Sequence, residues 1–169
     1  MPDVERHTWR TPMSIETFKS LLTAFGDGIG LPGLEPDPEG YVALGFDDLQ
    51  VHLQYEADDD VVVAFCKIGT IDEDRREGIL AWLLGANLFW QATRGATIAI
   101  DPVEDLVFVQ QRLELERTEP ARFEGWLGTF VDVADHWQGR LAAVNAGEPI
   151  DADSTPGPTA GGSDIQILV

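Results

Sequence analysis

Apolar residues recur along the chain at helical and strand spacings in a fixed order. Intervals of three and four residues predict three helices, beginning near residues 12, 73 and 119. Alternating or continuous apolar runs bounded by Asp- and Gly-rich turns predict five strands, at 41–46, 49–55, 61–68, 96–101 and 106–115. The order α-β-β-β-α-β-β-α, with strands grouped between helices, predicts an α+β fold with a mainly antiparallel, twisted sheet flanked by helices.

The chain divides into three parts by composition. We expect an N-terminal arm over residues 1–13, an α+β domain over 14–145, and a disordered acidic tail over 146–169. The tail consists largely of Gly, Pro, Ser, Thr and Asp and has no basic residue. Its end, residues 165–169, is apolar. It is either a short docking segment or a terminus without a role, and the pattern favours the second.

The second helix, predicted from about residue 73 to residue 92, is apolar on every side. Thr70 and Glu73 have capping-box spacing at its start. The segment EGILAWLLGANLFWQA leaves no polar face, and a helix of this kind is buried on all sides. Gly78 and Gly85 align with alanines and allow close approach of another backbone. We expect one face to pack on the sheet and another on a second chain. The alternative is a helix enclosed by the other two helices of a monomer.

Charge narrows the range of partners. The chain has 11 Lys and Arg residues against 30 Asp and Glu, a formal net charge of −19. Such a surface repels phosphate backbones and anionic lipid, so we expect no nucleic-acid and no membrane partner. Solubility alone explains the charge equally well. The N-terminal residues lack a signal-peptide pattern and the longest apolar run is too short for a bilayer, which predicts a cytoplasmic protein.

Candidate catalytic chemistry is sparse. Residues 28–33, GIGLPG, match a dinucleotide-binding string, but a predicted helix precedes them and Pro32 interrupts them, which indicates a loop. Cys66 is predicted to be an inert core thiol, and His7, His52 and His136 lack metal-ligand spacing. We therefore expect a protein that is not an enzyme and has no cofactor and no metal. A small hydrolase or ligand-binding domain would instead need a deep pocket of paired acids with raised pKa values.

The string LLGANLFWQATRGATIAIDPVEDLVFVQQRLEL, residues 83–115, resembles the class I chaperones of type III secretion, the CesT (Tir chaperone) family. The features in common are a helix ending in ANLF, a small-residue turn, an alternating strand, Asp-Pro and a second long strand. With the element order, the resemblance covers residues 14–144. Trp90, where a small residue is usual, and the longer acidic tail depart from the family pattern.

The resemblance implies a homodimer joined through the second helix and the hairpin beside it. It also implies a secreted effector as partner, whose N-terminal chaperone-binding segment wraps around the dimer in extended form and adds strands at sheet edges. A secretion ATPase is a further implied partner. The candidate cargo-binding residues are Phe18, Leu22, Phe25, Leu53, Val63 and Phe65. The candidate dimer-interface residues are Leu83, Asn87, Phe89, Trp90, Ile98 and Ile100.

A second function fits the same elements. YbjN-like proteins of this fold bind or regulate without a secretion system, and such a protein would form a similar dimer without an unfolded cargo. Asn87 lies among apolar neighbours in either case, so it needs a hydrogen-bond partner, for which we expect a backbone carbonyl.

Overall fold

The structure, a computed structural model, describes residues 13–150 and 165–168 of the chain. Over residues 13–150 the predicted order of helices and strands is confirmed, whereas residues 165–168, predicted to belong to a disordered tail, form an additional strand. The helices are α1 (Met13–Gly28), α2 (Arg76–Ala86) and α3 (Pro120–Asn145). The strands are β1 (Tyr41–Phe46), β2 (Leu49–Glu56), β3 (Val61–Thr70), β4 (Thr97–Asp101), β5 (Leu106–Glu114) and β6 (Ile165–Leu168).

The six strands of the described residues form one sheet in the order β4-β5-β3-β2-β1-β6, and each of their pairings is antiparallel. Short Asp-containing turns join β1 to β2 and β2 to β3, and Asp47 and Asp60 there adopt positive φ angles. Asp tolerates that conformation better than most residues. The α+β fold with an antiparallel sheet is thus as predicted.

One face of the sheet carries the hydrophobic core. Alternate residues of the central strands, such as Val51, Leu53 and Val62, are completely buried there together with apolar residues of α1 and α3. Phe123 of α3 meets Phe18 of α1 edge-on, with ring centroids 6.4 Å apart. Burial on this scale, at about 25 cal/mol per Å², is the main stabilising contribution to the fold. The opposite face of the sheet, here called the outer face, carries the remaining alternate residues.

The second helix is much shorter than predicted. A 3-10 turn, Glu73–Arg75, precedes α2, and another, Leu88–Trp90, follows it. The prediction of a continuous helix from 73 to 92 is therefore wrong at both ends. The predicted capping box is also wrong, because Thr70 still belongs to β3 and the side chain of Asp72 caps the first turn by accepting a hydrogen bond from Asp74 N.

The two ends of the chain are only partly described. The predicted arm, residues 1–13, lies outside the described residues except for Met13. Residues 151–164 and 169 of the predicted tail also lie outside them. Residues 165–168 of that tail form β6, which pairs with β1.

Candidate functional site

The end of α2 carries a group of large apolar side chains that point into solvent. Leu84 is 69% exposed, Leu88 65%, Phe89 77% and Trp90 55%. We call these four residues the α2-end patch. Single exposed apolar residues are ordinary on protein surfaces, but four large ones within seven consecutive residues are typical of an interaction site. A patch at this position is expected to bind another apolar surface.

The patch depends on a turn with unusual backbone angles. Phe89 and Trp90 have φ values of 56° and 53°, in the left-handed region that side chains of L-residues rarely adopt. This conformation costs about 1–2 kcal/mol per residue for L-amino acids. The turn stops the helix after Ala86 and directs both aromatic rings outward instead of along the helix face. The surrounding structure must therefore hold the turn in place.

Asn87 fixes one side of this turn to the sheet. Its amide nitrogen Nδ2 donates to Ile98 O at 3.0 Å, and its Oδ1 accepts from Ile98 N at 2.8 Å. The predicted backbone-carbonyl partner is confirmed. β4 is an edge strand, and β5 pairs with one of its two edges. The Asn87 side chain therefore occupies part of the opposite, unpaired edge of β4.

Two tryptophans fix the other side of the turn to α3. Trp137, which is buried, donates from Nε1 to Ala92 O at 3.0 Å, and its ring packs against Trp82 with centroids 5.1 Å apart. Buried indole N–H groups need such acceptors. The turn that carries the α2-end patch is thus attached to both the sheet and α3.

The buried face of α2 is formed by Ile79, Trp82, Leu83 and Ala86. The opposite side is solvent-exposed and carries Gly78, Ala81, Leu84 and Gly85. The alternative of a helix enclosed by two others is therefore wrong for the single chain.

The predicted dimer residues separate into two groups. Phe89 and Trp90 are exposed in the α2-end patch, whereas Leu83 and Ile98 are buried in the protomer core. Ile100 is partly buried against that core, and Asn87 is half-buried in its contact with Ile98. The structure adds Leu84 and Leu88 to the exposed set. Their spacing of four residues was visible in the sequence, but only the break after Ala86 shows which apolar residues are left uncovered.

The outer face carries a row of aromatic rings across three strands. Tyr41 Oη lies 2.7 Å from His52 Nδ1, and the two rings stack with centroids 5.9 Å apart. His52 in turn stacks on Phe65 of β3 at 4.9 Å, nearly parallel. Burial of the imidazole lowers the pKa of His52 because it disfavours the charged form. At neutral pH this row is therefore uncharged, half-buried and able to pack against apolar groups.

The predicted cargo-binding residues are also divided by burial. Phe18, Leu22 and Leu53 are completely buried in the core and offer no surface to a partner in this structure. Phe25 is partly buried and packs edge-on against Phe123 of α3. Val63 and Phe65 are half-buried on the outer face. The outer-face row also includes Tyr41 and His52, which the sequence pattern did not single out as binding residues.

Among the residues that the structure describes, groups with potential reactivity are few. Burial raises the pKa of the Cys66 thiol to about 11, so the thiol stays protonated at neutral pH. Over residues 13–150 and 165–168 there is no group of three or more His, Cys, Asp or Glu side chains arranged to hold a metal ion. In the same part of the chain, no helix combines the length and apolar character needed to cross a bilayer.

Comparison with known proteins agrees with this fold. The sequence profile of the Tir chaperone protein (CesT) family matches residues 20–138, from α1 to α3. A search of curated protein sequences gives no match. Among solved structures, a chain of the ExsC–ExsE complex superposes with a TM-score of 0.65 and 25% identity, covering 75% of this chain and 95% of that one.

Two further structures share the fold at lower identity. A chain of the HopA1–SchA chaperone–effector complex has a TM-score of 0.62 and 16% identity, covering 76% of this chain and 98% of that one. A chain of the ExoT–SpcS complex from Pseudomonas aeruginosa has a TM-score of 0.53 and 20% identity, covering 70% and 95% respectively. Because the family profile spans most of the chain and the fold agrees with it, the protein belongs to the Tir chaperone protein (CesT) family.

Proposed function

We propose that this protein is a cytoplasmic type III secretion chaperone that binds the N-terminal segment of an effector in extended form and keeps it soluble and competent for export. The observation that carries the proposal is the family match over residues 20–138. The similar chain of the HopA1–SchA structure comes from a chaperone–effector complex, which supports the same function. The activity is binding, so we propose no catalytic residue, no cofactor and no metal.

The surface chemistry supports binding of an unfolded segment. The outer-face row provides apolar and aromatic contacts that are uncharged at neutral pH, and the sheet edges provide backbone hydrogen-bonding groups. Extended peptides are commonly recognised by such a combination of strand pairing and side-chain contacts. The net charge of −19 keeps the free chaperone soluble despite its exposed apolar surface. We infer that Val63, Phe65 and Phe25 are the most accessible of the cargo contacts.

We also infer a homodimer joined through the α2-end patch. A two-fold interface places the same patch of both protomers in contact, so Leu84, Leu88, Phe89 and Trp90 would each be buried twice. The two consecutive left-handed residues support this assignment, because strained turns persist where their side chains serve a function. Delivery of the loaded chaperone to a secretion ATPase completes the proposal.

A regulatory protein of YbjN-like type is the weaker alternative. It accounts equally well for a dimer and for the fold. It does not account for the match to the Tir chaperone protein (CesT) family profile over residues 20–138. It also gives no role to the uncharged outer-face row.

The proposal is tested by capturing partners of the tagged chain from its own bacterium during secretion, followed by mass spectrometry and limited proteolysis. We expect one main partner, bound through an N-terminal segment that the chaperone protects from the protease. Phe65→Gln should reduce its recovery, whereas Lys67→Gln, an exposed position two residues along the same face, should not. Recovery of no partner, or of one bound through a folded domain, would contradict the proposal.

A further inference from the structure

The C-terminal strand β6 closes one end of the sheet. It pairs antiparallel with β1, so that Ile165 is opposite Phe46 and Ile167 is opposite Leu44. β1 also pairs with β2 on its other side, in a regular register without a bulge. The chain therefore places its own last residues on an edge that would otherwise present unpaired N–H and C=O groups.

Apart from the pairing with β6, the β1 edge has none of the features that usually protect an edge strand. Its sequence, YVALGF, contains no charged residue and no proline, and Val42 to Phe46 are buried. Natural edge strands are protected by Lys, Pro, bulges or a covering segment. At the opposite end of the sheet, the Asn87 side chain already occupies the backbone of Ile98 in β4. The β1 edge is thus the end of the sheet suited to receive another strand.

We propose that residues 165–168 act as a tethered strand that occludes the β1 edge and must be displaced before another extended segment can pair there. In identifying that incoming segment as the effector, the inference rests on the proposed function. The regulation is competitive. While β6 is paired with β1, the chain is protected against edge-to-edge aggregation, and when β6 is displaced, the β1 edge can bind another segment.

The covalent connection makes such a short strand effective. Residues 151–164 separate the last described residue of the domain from β6, and fourteen residues reach up to about 50 Å when extended. A covalent connection of this length gives an effective concentration in the millimolar range. A four-residue strand with weak intrinsic affinity is then bound much of the time. A longer segment that forms more hydrogen bonds displaces it.

The test uses the full chain and a proline pair in β6. In an antiparallel ladder the amides alternate between facing the partner strand and facing away from it. Gln166→Pro combined with Ile167→Pro therefore removes at least one amide that faces β1. The matched control is Ala160→Pro with Gly161→Pro, which makes the same change within residues 151–164, outside the strand.

Hydrogen exchange provides the first readout. In the β6 variant we expect faster exchange at those amides of residues 43–46 that face β6, with unchanged exchange in β2 and β3. The control variant should match the wild-type chain. Equal exchange in all three proteins would overturn the proposal, because the edge would then be open already in the wild-type chain.

A labelled peptide with the sequence of residues 161–169, GGSDIQILV, provides the second readout. Its apparent affinity is reduced by the fraction of chains whose edge is already occupied. We expect it to bind the β6 variant about five- to tenfold more tightly than the wild-type or control chains, which corresponds to β6 occupying the edge in about 80–90% of those chains. Equal binding to all three proteins would overturn the proposal.

Neither readout uses an effector, so the outcome for the tethered strand is separate from the outcome for the proposed function. With a captured effector, the β6 variant should bind it more tightly than the control variant does. Equal effector affinity, combined with the expected peptide result, would overturn the competition with cargo while leaving the chaperone function intact. A failure to capture any effector would contradict the chaperone function alone, since the peptide result decides occlusion by itself.

Discussion

Substitution of Phe89 is expected to weaken dimerisation without destabilising the folded protomer. Phe89 is 77% exposed in the single chain and has a φ of 56°. Asn accepts the left-handed conformation far more readily than Phe does, so Phe89→Asn keeps the turn while removing the apolar ring. We expect the free energy of unfolding of the protomer to stay the same or to rise by up to about 1 kcal/mol.

The expected effect on the proposed dimer is much larger. Full burial of a Phe side chain is worth about 1.5–3 kcal/mol, and the exposed share of Phe89 corresponds to about 1–2 kcal/mol. A two-fold interface loses this contribution twice, which gives about 2–4 kcal/mol per dimer. At 1.4 kcal/mol per tenfold change, the dimer dissociation constant should rise about 30- to 700-fold.

Sedimentation velocity over a range of concentrations measures this constant directly. The matched control is Val103→Asn, because Val103 is 87% exposed in the β4–β5 turn and lies outside the α2-end patch. Asp105 of that turn forms an ion pair with Arg76, the first residue of α2. The turn therefore contacts the start of α2, whereas the α2-end patch lies towards its other end. A wild-type chain that stays monomeric at its highest soluble concentration would refute the assignment. Equal dissociation of the two variants would also refute it.

Three further predictions concern the protomer. Gly26→Ala should lower the free energy of unfolding by about 1–3 kcal/mol in urea denaturation, because a Cβ there would lie 2.5 Å from Leu31 O. The control is Gly125→Ala, where a Cβ would meet open space, and it should be neutral or stabilising. Cys66, whose pKa is raised to about 11 by burial, should react with a thiol reagent at pH 8 only at the rate of unfolding, and fast reaction of the native chain would contradict its burial. Because burial lowers the pKa of His52 below its ordinary 6.5, the unfolded chain binds a proton first as the pH falls. The free energy of unfolding should therefore decrease as the pH falls from about 7. His52→Gln should make this pH dependence less steep, and an unchanged pH dependence in the variant would disprove the prediction.

Much of the fold follows from hydrophobic periodicity alone. β1 has the predicted bounds, and β2 differs from them by one residue, since Asp-rich turns define their ends. The start of α3 is also as predicted, with Pro120 in the first turn. The end of α2 could not be predicted in the same way. Phe89 and Trp90 fit a continuing helix by composition, but tertiary contacts of the flanking residues to Ile98 and α3 accompany the turn that replaces it.

The candidate site was less predictable than the fold. A buried core position and an exposed binding position both require an apolar residue, so the sequence pattern cannot separate Leu83 from Leu84. Burial in the finished fold separates them, because Leu83 faces the core and Leu84 does not. Likewise, the pairing of residues 165–168 with β1 is a contact between distant parts of the chain, which no local periodicity encodes.

The two proposed surfaces lie at opposite ends of one sheet. The α2-end patch adjoins β4, and the edge that receives an added strand belongs to β1, four strand spacings away. At about 4.8 Å per spacing this separates them by about 19 Å. If the proposed dimer joins its two protomers edge to edge through the α2-end patches, its two β1 edges lie at the outer ends, about 40 Å apart. At about 3.3 Å per residue, a cargo segment that pairs with both edges needs about twelve residues between them. Extended cargo meets this requirement, whereas a compact folded domain of small diameter does not, so an edge-to-edge dimer of this kind would favour an unfolded segment.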